Sequence, residues 1–449
     1  MKGRIPFFRL CVALVVCFVT IAVCAQQGTQ VLDGGSAADD GTLQLPNWTY
    51  EAYIGKARPL TATIVGADPS VKNNQKPTVI DAYLIFVTLQ ITKNKIPYIF
   101  DPTRENNCPE STDLNGTPRS VELLAELSPL FRFLDYTIQK GDENPENGLP
   151  PNTGTQYADY FERANFWRAG YWDPTKGTSW QTLLRTFVID KASYGRANLG
   201  NVGGVVRTQG LCIANGVNPG QAAGFIDLDN FWDPEARDII KDLKTKKVFG
   251  ANAIPIFIFD SVEFFDNQNN IIAGYHSSYV DKNDNNNIQT YIVADFDSSG
   301  LLMNSAPDAV VLSHEIPEWM NNSVVSTPKA GQSQGGNLVH PAWGNGIGQV
   351  PAGTCQDDLE VGDPLSQTWK NAWNSYPALN FIPAVVEANL PPPIGKFAYQ
   401  YHLQELAFIS WFYRLDPSVA VNGWYTNNNG QTKNIYAPGC VGPPGPPGG

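Results

Sequence analysis

DAYLIFVTLQ, residues 81–90, is β-branched and aromatic, with a single charge at its first position. A run of that length and composition reads as a buried strand. AIPIFIF (residues 253–259) and QTYIVADF (residues 289–296) read the same way. Around these strands lie helical patterns at residues 121–138, 156–167, 234–246 and 397–413. In the last, Tyr401, Leu403, Leu406, Ala407, Ile409 and Trp411 offer a broad apolar surface, as a buried helix would. Strands and helices alternate irregularly, so the expected class is α+β or mixed α/β. Asn- and Gly-rich stretches at 283–287 and 425–430 read as turns.

Composition narrows the function. The chain has 449 residues, 42% of them apolar, enough for a sizeable core. Only 16% are charged, with 40 Gly and 34 Pro, so a loop-rich body is expected. The net charge is −12, which gives no electrostatic footprint for nucleic acid. It also gives no basic attraction to anionic lipid.

The N-terminus reads as an export signal. Lys2, Arg4 and Arg9 precede an apolar run of 14 residues, 10–23. That is short of the roughly 20 that a spanning helix needs. Val23 and Ala25 suit the −3 and −1 positions of a cleavage site before Gln26. The expected organisation is a signal peptide at 1–25, a flexible leader at 26–47, one large domain at 48–437 and a Gly/Pro-rich tail at 438–449. Removal of the signal takes away three positive charges, moving the net charge from −12 to −15. Cys108, Cys212, Cys355 and Cys440 remain, an even number that suggests two disulfides in an exported chain. The protein is therefore expected outside the cell or in the periplasm, with no membrane contact after processing.

One constellation carries chemistry. Residues 310–320 read VVLSHEIPEWM and contain His314-Glu315-x-x-Glu318. On a helix, positions i and i+4 share a face. His314 and Glu318 would then offer a nitrogen and an oxygen to one zinc ion. Glu315 is placed to act as the base on a zinc-activated water, the logic of the HExxH helix with its second His replaced. Ser313 is a candidate N-cap, which would put Pro317 in the first turn, where its missing N–H costs least. The plainer alternative is an ordinary helix with Glu315 and Glu318 in solvent. A third ligand is open among Glu360, Asp363, His276 and His340. His402, with Glu405 three residues on, reads rather as a packed helical pair.

The block Ser313-His-Glu-Ile-Pro-Glu-Trp-Met-Asn-Asn322, with Pro341-Ala-Trp-Gly344 and Leu359-Glu-Val-Gly-Asp-Pro364, resembles a group of exported bacterial proteins. These carry an HExxE helix followed by an acidic Glu-x-Gly-Asp segment. More distantly the chain is similar to the plant EXORDIUM or phosphate-induced cell-wall proteins, whose Gly-x-His-Ser segment Gly274-Tyr-His-Ser277 resembles. Tyr401-His-Leu-Gln-Glu-Leu406 and Asn422-Gly-Trp-Tyr425 also look like the bacterial group. The resemblance covers roughly residues 250–430. It implies a single large zincin-like domain with zinc on His314 and Glu318. Glu360 would be the third ligand, Asp363 would support or substitute for it, and His276 would lie near. Pro317 departs from the group, which usually has a helix-friendly residue there.

The expectation is a secreted zinc hydrolase of metallopeptidase type, acting on a peptide or cell-wall substrate with Glu315 as catalytic base. The alternative is a non-catalytic exported binding protein for cell-wall polysaccharide or a surface partner. It would use exposed aromatics such as Trp48, Trp172, Trp343 and Trp424. A structural calcium site among Asp281, Asn283, Asp284, Asp295 and Asp297 is a further option, although no EF-hand loop is present.

Overall fold

The structure is a computed structural model that describes residues 41–52, 60–68, 77–134, 154–165, 180–189, 198–209, 221–267, 269, 271–301, 307–324, 360–362, 381–404 and 406. The expected signal peptide, the Gly/Pro tail, the turn at 425–430, Asp363, His340, Glu405, three of the four mature cysteines and three of the four named tryptophans lie outside these residues.

The chain begins with β1 (Thr42–Leu43), β2 (Asn47–Ala52), β3 (Leu60–Val65), β4 (Thr78–Phe86), β5 (Thr88–Lys93) and β6 (Ile96–Phe100). Next come β7 (Glu105–Asn106), β8 (Arg119–Ser120), α1 (Val121–Leu127), α2 (Tyr157–Asn165), β9 (Thr182–Val188), β10 (Asn198–Val202), β11 (Val205–Gln209) and β12 (Gln221–Asp227). A π-helical turn at Leu228–Trp232 leads into α3 (Asp233–Thr245). The rest is β13 (Ala253–Asp260), β14 (Val262–Phe265), β15 (Ile271–Ile272), β16 (Gly274–Asp281), β17 (Asn287–Phe296), α4 (Val310–Asn321), β18 (Phe381–Asn389) and β19 (Lys396–Gln404).

The central sheet has the order β9-β4-β13-β17, all parallel. β16 adds antiparallel to β17, and β1 joins β17 in parallel. β1 draws the last residues of the expected leader into the fold. A parallel sheet is covered on both faces, so its strands are apolar throughout, and β13 is buried along its whole length. Side chains alternate across the sheet. Ile254, Ile256 and Ile258 of β13 join Ile292 and Ala294 of β17 in a core that packs α1, α2, α4 and the β18–β19 hairpin. Phe257 and Phe259 of β13 join Tyr291 and Val293 in a second core under Trp232, Ile239, Ile240 and Leu243.

This overturns the expected zincin-like α+β domain. Among the described residues there are nineteen strands and four α-helices, arranged in several parallel and mixed sheets. The main misreading was the first half of the helix expected over residues 397–413, whose residues 405 and 407–413 lie outside the described ones. KFAYQYHLQ forms β19, with Phe397, Tyr399, Tyr401 and Leu403 buried at every second position. That period of two is a strand signal, and the aromatics suit it. The helix expected over 121–138 ends at Leu127, while α2, α3, β13 and β17 fall where they were expected. Helix α4 starts at Val310, with Ala309 at its N-cap. Ser313 therefore does not cap it, and Pro317 lies in its interior.

Two measurements check this packing. At Gly274 an added Cβ would sit 2.4 Å from Val311 Cγ1 and 2.8 Å from the Val293 carbonyl. Gly274→Ala is expected to destabilise the fold by about 1–3 kcal/mol in urea titration, because α4 would have to lift off the β16–β17 pair. On β14, Glu263 is fully buried with both oxygens unbonded, and burial, helped by Asp297 against Arg207, pushes it up to about 8. A carboxyl whose folded pKa is raised stabilises below its unfolded pKa, and that contribution is lost as pH rises through the folded value. Glu263→Gln should therefore flatten the decline in urea stability between pH 5 and pH 8, with its largest gain at pH 8. An unchanged profile would refute this.

Candidate metal centre

Helix α4 is buried at every one of its 12 residues. Buried ionisable groups need partners, because desolvating a charge is costly. His314, Glu315 and Glu318 face this constraint together, and neighbouring elements answer it. β16 brings His276, residues 360–362 pass across the helix, and β19 brings Gln404. The position of His276 follows from strand alternation: Tyr275 points into the α3-side core, so His276 points to the α4 side.

The groups converge closely. His314 Nε2 lies 3.0 Å from Glu318 Oε2 and 3.9 Å from Glu315 Oε1. His276 Nδ1 lies 3.2 Å from Glu315 Oε2 and 3.9 Å from Glu318 Oε2. His276 Nε2 lies 3.7 Å from Glu360 Oε1. Ligand atoms of His276, Glu315 and Glu318 all fall within 4.8 Å of one another.

Outer partners set the direction of both imidazoles. Gln404 Nε2 donates to the Gly362 carbonyl at 2.8 Å, which leaves Gln404 Oε1 facing His314 Nδ1 at 3.0 Å. An amide oxygen only accepts, so His314 carries its proton on Nδ1 and turns Nε2 towards Glu318. His276 Nε2 lies 3.2 Å from the Asn322 carbonyl, again an acceptor, so Nδ1 turns inward. Metal-ligating histidines are held this way, one ring nitrogen on an outer acceptor and the other aimed at the ion. Each inward nitrogen meets a carboxylate, and that contact is favourable only if the ring is protonated there or a cation lies between the two. Glu318 Oε1 is fixed by the Gly362 N–H at 2.8 Å. Gly362 permits this close approach, since a Cβ there would sit 2.5 Å from His314 Nδ1.

The two glutamates of the helix titrate in opposite directions. Burial raises Glu315, although the His276 hydrogen bond and the His314 charge oppose it. Burial would raise Glu318 too, but the charge and hydrogen bond of His314 outweigh it and hold Glu318 low, with His276 and a hydrogen bond to Glu360 adding to the effect.

Five of the expected site residues therefore come together: His314, Glu315, Glu318, Glu360 and His276. His402 lies elsewhere, on Asp308. The calcium option weakens at Asp281 and Asp284, both of which pair with Lys244. Sequence reading missed Gln404, Gly362 and Asn322. Gly362 and Gln404 sat inside segments already singled out, but only as neighbours of acidic residues or of a supposed helix. No family model, curated protein or solved structure matches this chain.

Gln404→Leu tests the outer support. It should weaken Zn2+ binding about 10–100-fold in a chelator competition, with the circular dichroism spectrum unchanged. Unaltered affinity would detach Gln404 from the centre.

Proposed function

We propose that this protein is an exported zinc-dependent hydrolase, with a peptide or cell-wall polymer as substrate. The observation that carries the reading is the pair of imidazoles whose inward nitrogens both face the buried carboxylates of one helix, while their outer nitrogens rest on an amide oxygen and a backbone carbonyl. His314, Glu318 and either His276 or Glu360 would hold the ion. Two nitrogens with carboxylate oxygens suit zinc rather than calcium. A bound zinc would acidify a water and polarise the scissile carbonyl. Glu315 would take the proton from the attacking water and pass it to the leaving group. Burial raises its carboxyl above the usual carboxylate range, against the pull of the neighbouring imidazoles. With Glu360 as the third ligand, a protonated His276 would donate from Nδ1 to Glu315 Oε2 and hold that side chain in place. Export is supported by the basic and apolar N-terminal residues and by the disulfide at buried Cys108.

Burial favours a second reading. His276 and Glu360 are each 3% exposed and Glu318 is 0% exposed. A centre this enclosed also suits a structural ion that staples α4 to β16 and to residues 360–362 in a non-catalytic binding protein.

Mass spectrometry of the purified mature chain should find zinc that His314→Ala removes. Glu315→Gln should then abolish hydrolysis of the peptide substrate while the zinc stays bound. Loss of zinc along with activity would make Glu315 a ligand. Absence of turnover in the wild type, with a melting temperature lowered by chelator, would establish the structural reading.

A further inference from the structure

A second convergence lies at the other end of the α4–β19 contact. Glu110 sits in a 3₁₀ turn (Pro109–Ser111), Asp308 sits two residues ahead of α4, and His402 sits on β19. Three distant segments thus bring one imidazole and two carboxylates within 4.8 Å of one another. Asp308 is fully buried, whereas Glu110 and His402 are half-buried, so the cluster has a wet side.

Asp308 binds His402 twice, accepting from its backbone N–H at 3.0 Å and lying 2.6 Å from ring Nδ1. An ion pair explains that contact. It leaves Glu110 unexplained. The charges bearing on Glu110 are two carboxylates, Asp308 and Asp297, against one imidazole, His402. One imidazolium cannot balance this set, and a divalent cation can.

We infer that Glu110, Asp308 and His402 form a second divalent-metal site, distinct from the His314–Glu318 centre. The donor set selects the ion. An imidazole with two carboxylates, and room on the wet side for water, matches zinc or another first-row transition metal. Calcium, which takes six to eight oxygens, fits poorly. The ion would tie the 3₁₀ turn, the start of α4 and β19 together.

The inference does not require the hydrolase reading, and counting ions separates the two. The mature chain is dialysed against micromolar Zn2+ and its metal measured by mass spectrometry, beside Glu110→Gln, His314→Ala and the double variant. Glu110→Gln keeps side-chain size and leaves the Asp308–His402 bond in place, so folding should survive, as circular dichroism would verify. The expected result is two zinc ions per wild-type chain, one in each single variant and none in the double. Loss of the Glu110 ligand should weaken the second site at least about tenfold. Zinc lost in Glu110→Gln but not in His314→Ala would support this site and remove the other. Glu110→Gln with unchanged zinc content and affinity, alone and with His314→Ala, would overturn the second site whatever His314→Ala does.

Discussion

All 12 residues of α4 are withdrawn from water, and three of them are ionisable. A carboxylate or imidazolium carried into a protein interior loses several kcal/mol of hydration unless partners restore it. The elements around α4 are placed as that requirement demands. β16 presents a histidine, the 360–362 segment presents a backbone N–H and a glutamate, and β19 presents an amide. Removal of any one strands a buried charge, which is why the polar centre and the apolar packing of this helix cannot be separated.

The sheet makes such a helix possible. In a parallel sheet the two faces are independent surfaces, each with its own side-chain set. Here the α3 face is an ordinary aromatic and aliphatic core, with Trp232 edge-on to Phe257 and Phe259. The α4 face mixes Ile256, Ile292 and Trp319 with the ionisable centre. Strand alternation keeps them apart: on β16, Tyr275 belongs to one face and His276 to the other. A shift of one residue in β16 would put tyrosine among the glutamates.

Legibility in the sequence followed the range of the interactions. Long apolar strands such as β13 and β17, and the amphipathic α3, were readable because burial on one or two faces leaves a local pattern. His314, Glu315 and Glu318 were readable because helical spacing alone groups them. The zincin-like α+β expectation failed at β19, where a period of two was read as a helix, and at the many short strands whose pairing is set by distant partners. His276 and Glu360 could only be nominated, since nothing local shows that β16 and residue 360 meet α4. Gln404 could not be found at all, because its role exists only once β19 lies beside the helix.

The contact between β19 and α4 shows how that placement is enforced. β18 covers one edge of β19 throughout. Across that ladder His402 faces Pro383, which has no N–H to offer. The His402 and Gln404 N–H groups turn the other way, to Asp308 Oδ1 at 3.0 Å and Ser313 Oγ at 2.8 Å. Asp308 and Ser313 thus close an edge that would otherwise expose unpaired donors. The same two bonds fix the register of β19 against α4. They set Gln404 beside His314 and His402 beside Asp308, whereas a slip of one residue would bring Tyr401 and Leu403 instead. Ser313, whose sequence context suggested a helix cap, serves as the register pin of a strand. Both polar clusters therefore depend on an edge-strand requirement that acts on the backbone before any ion is bound.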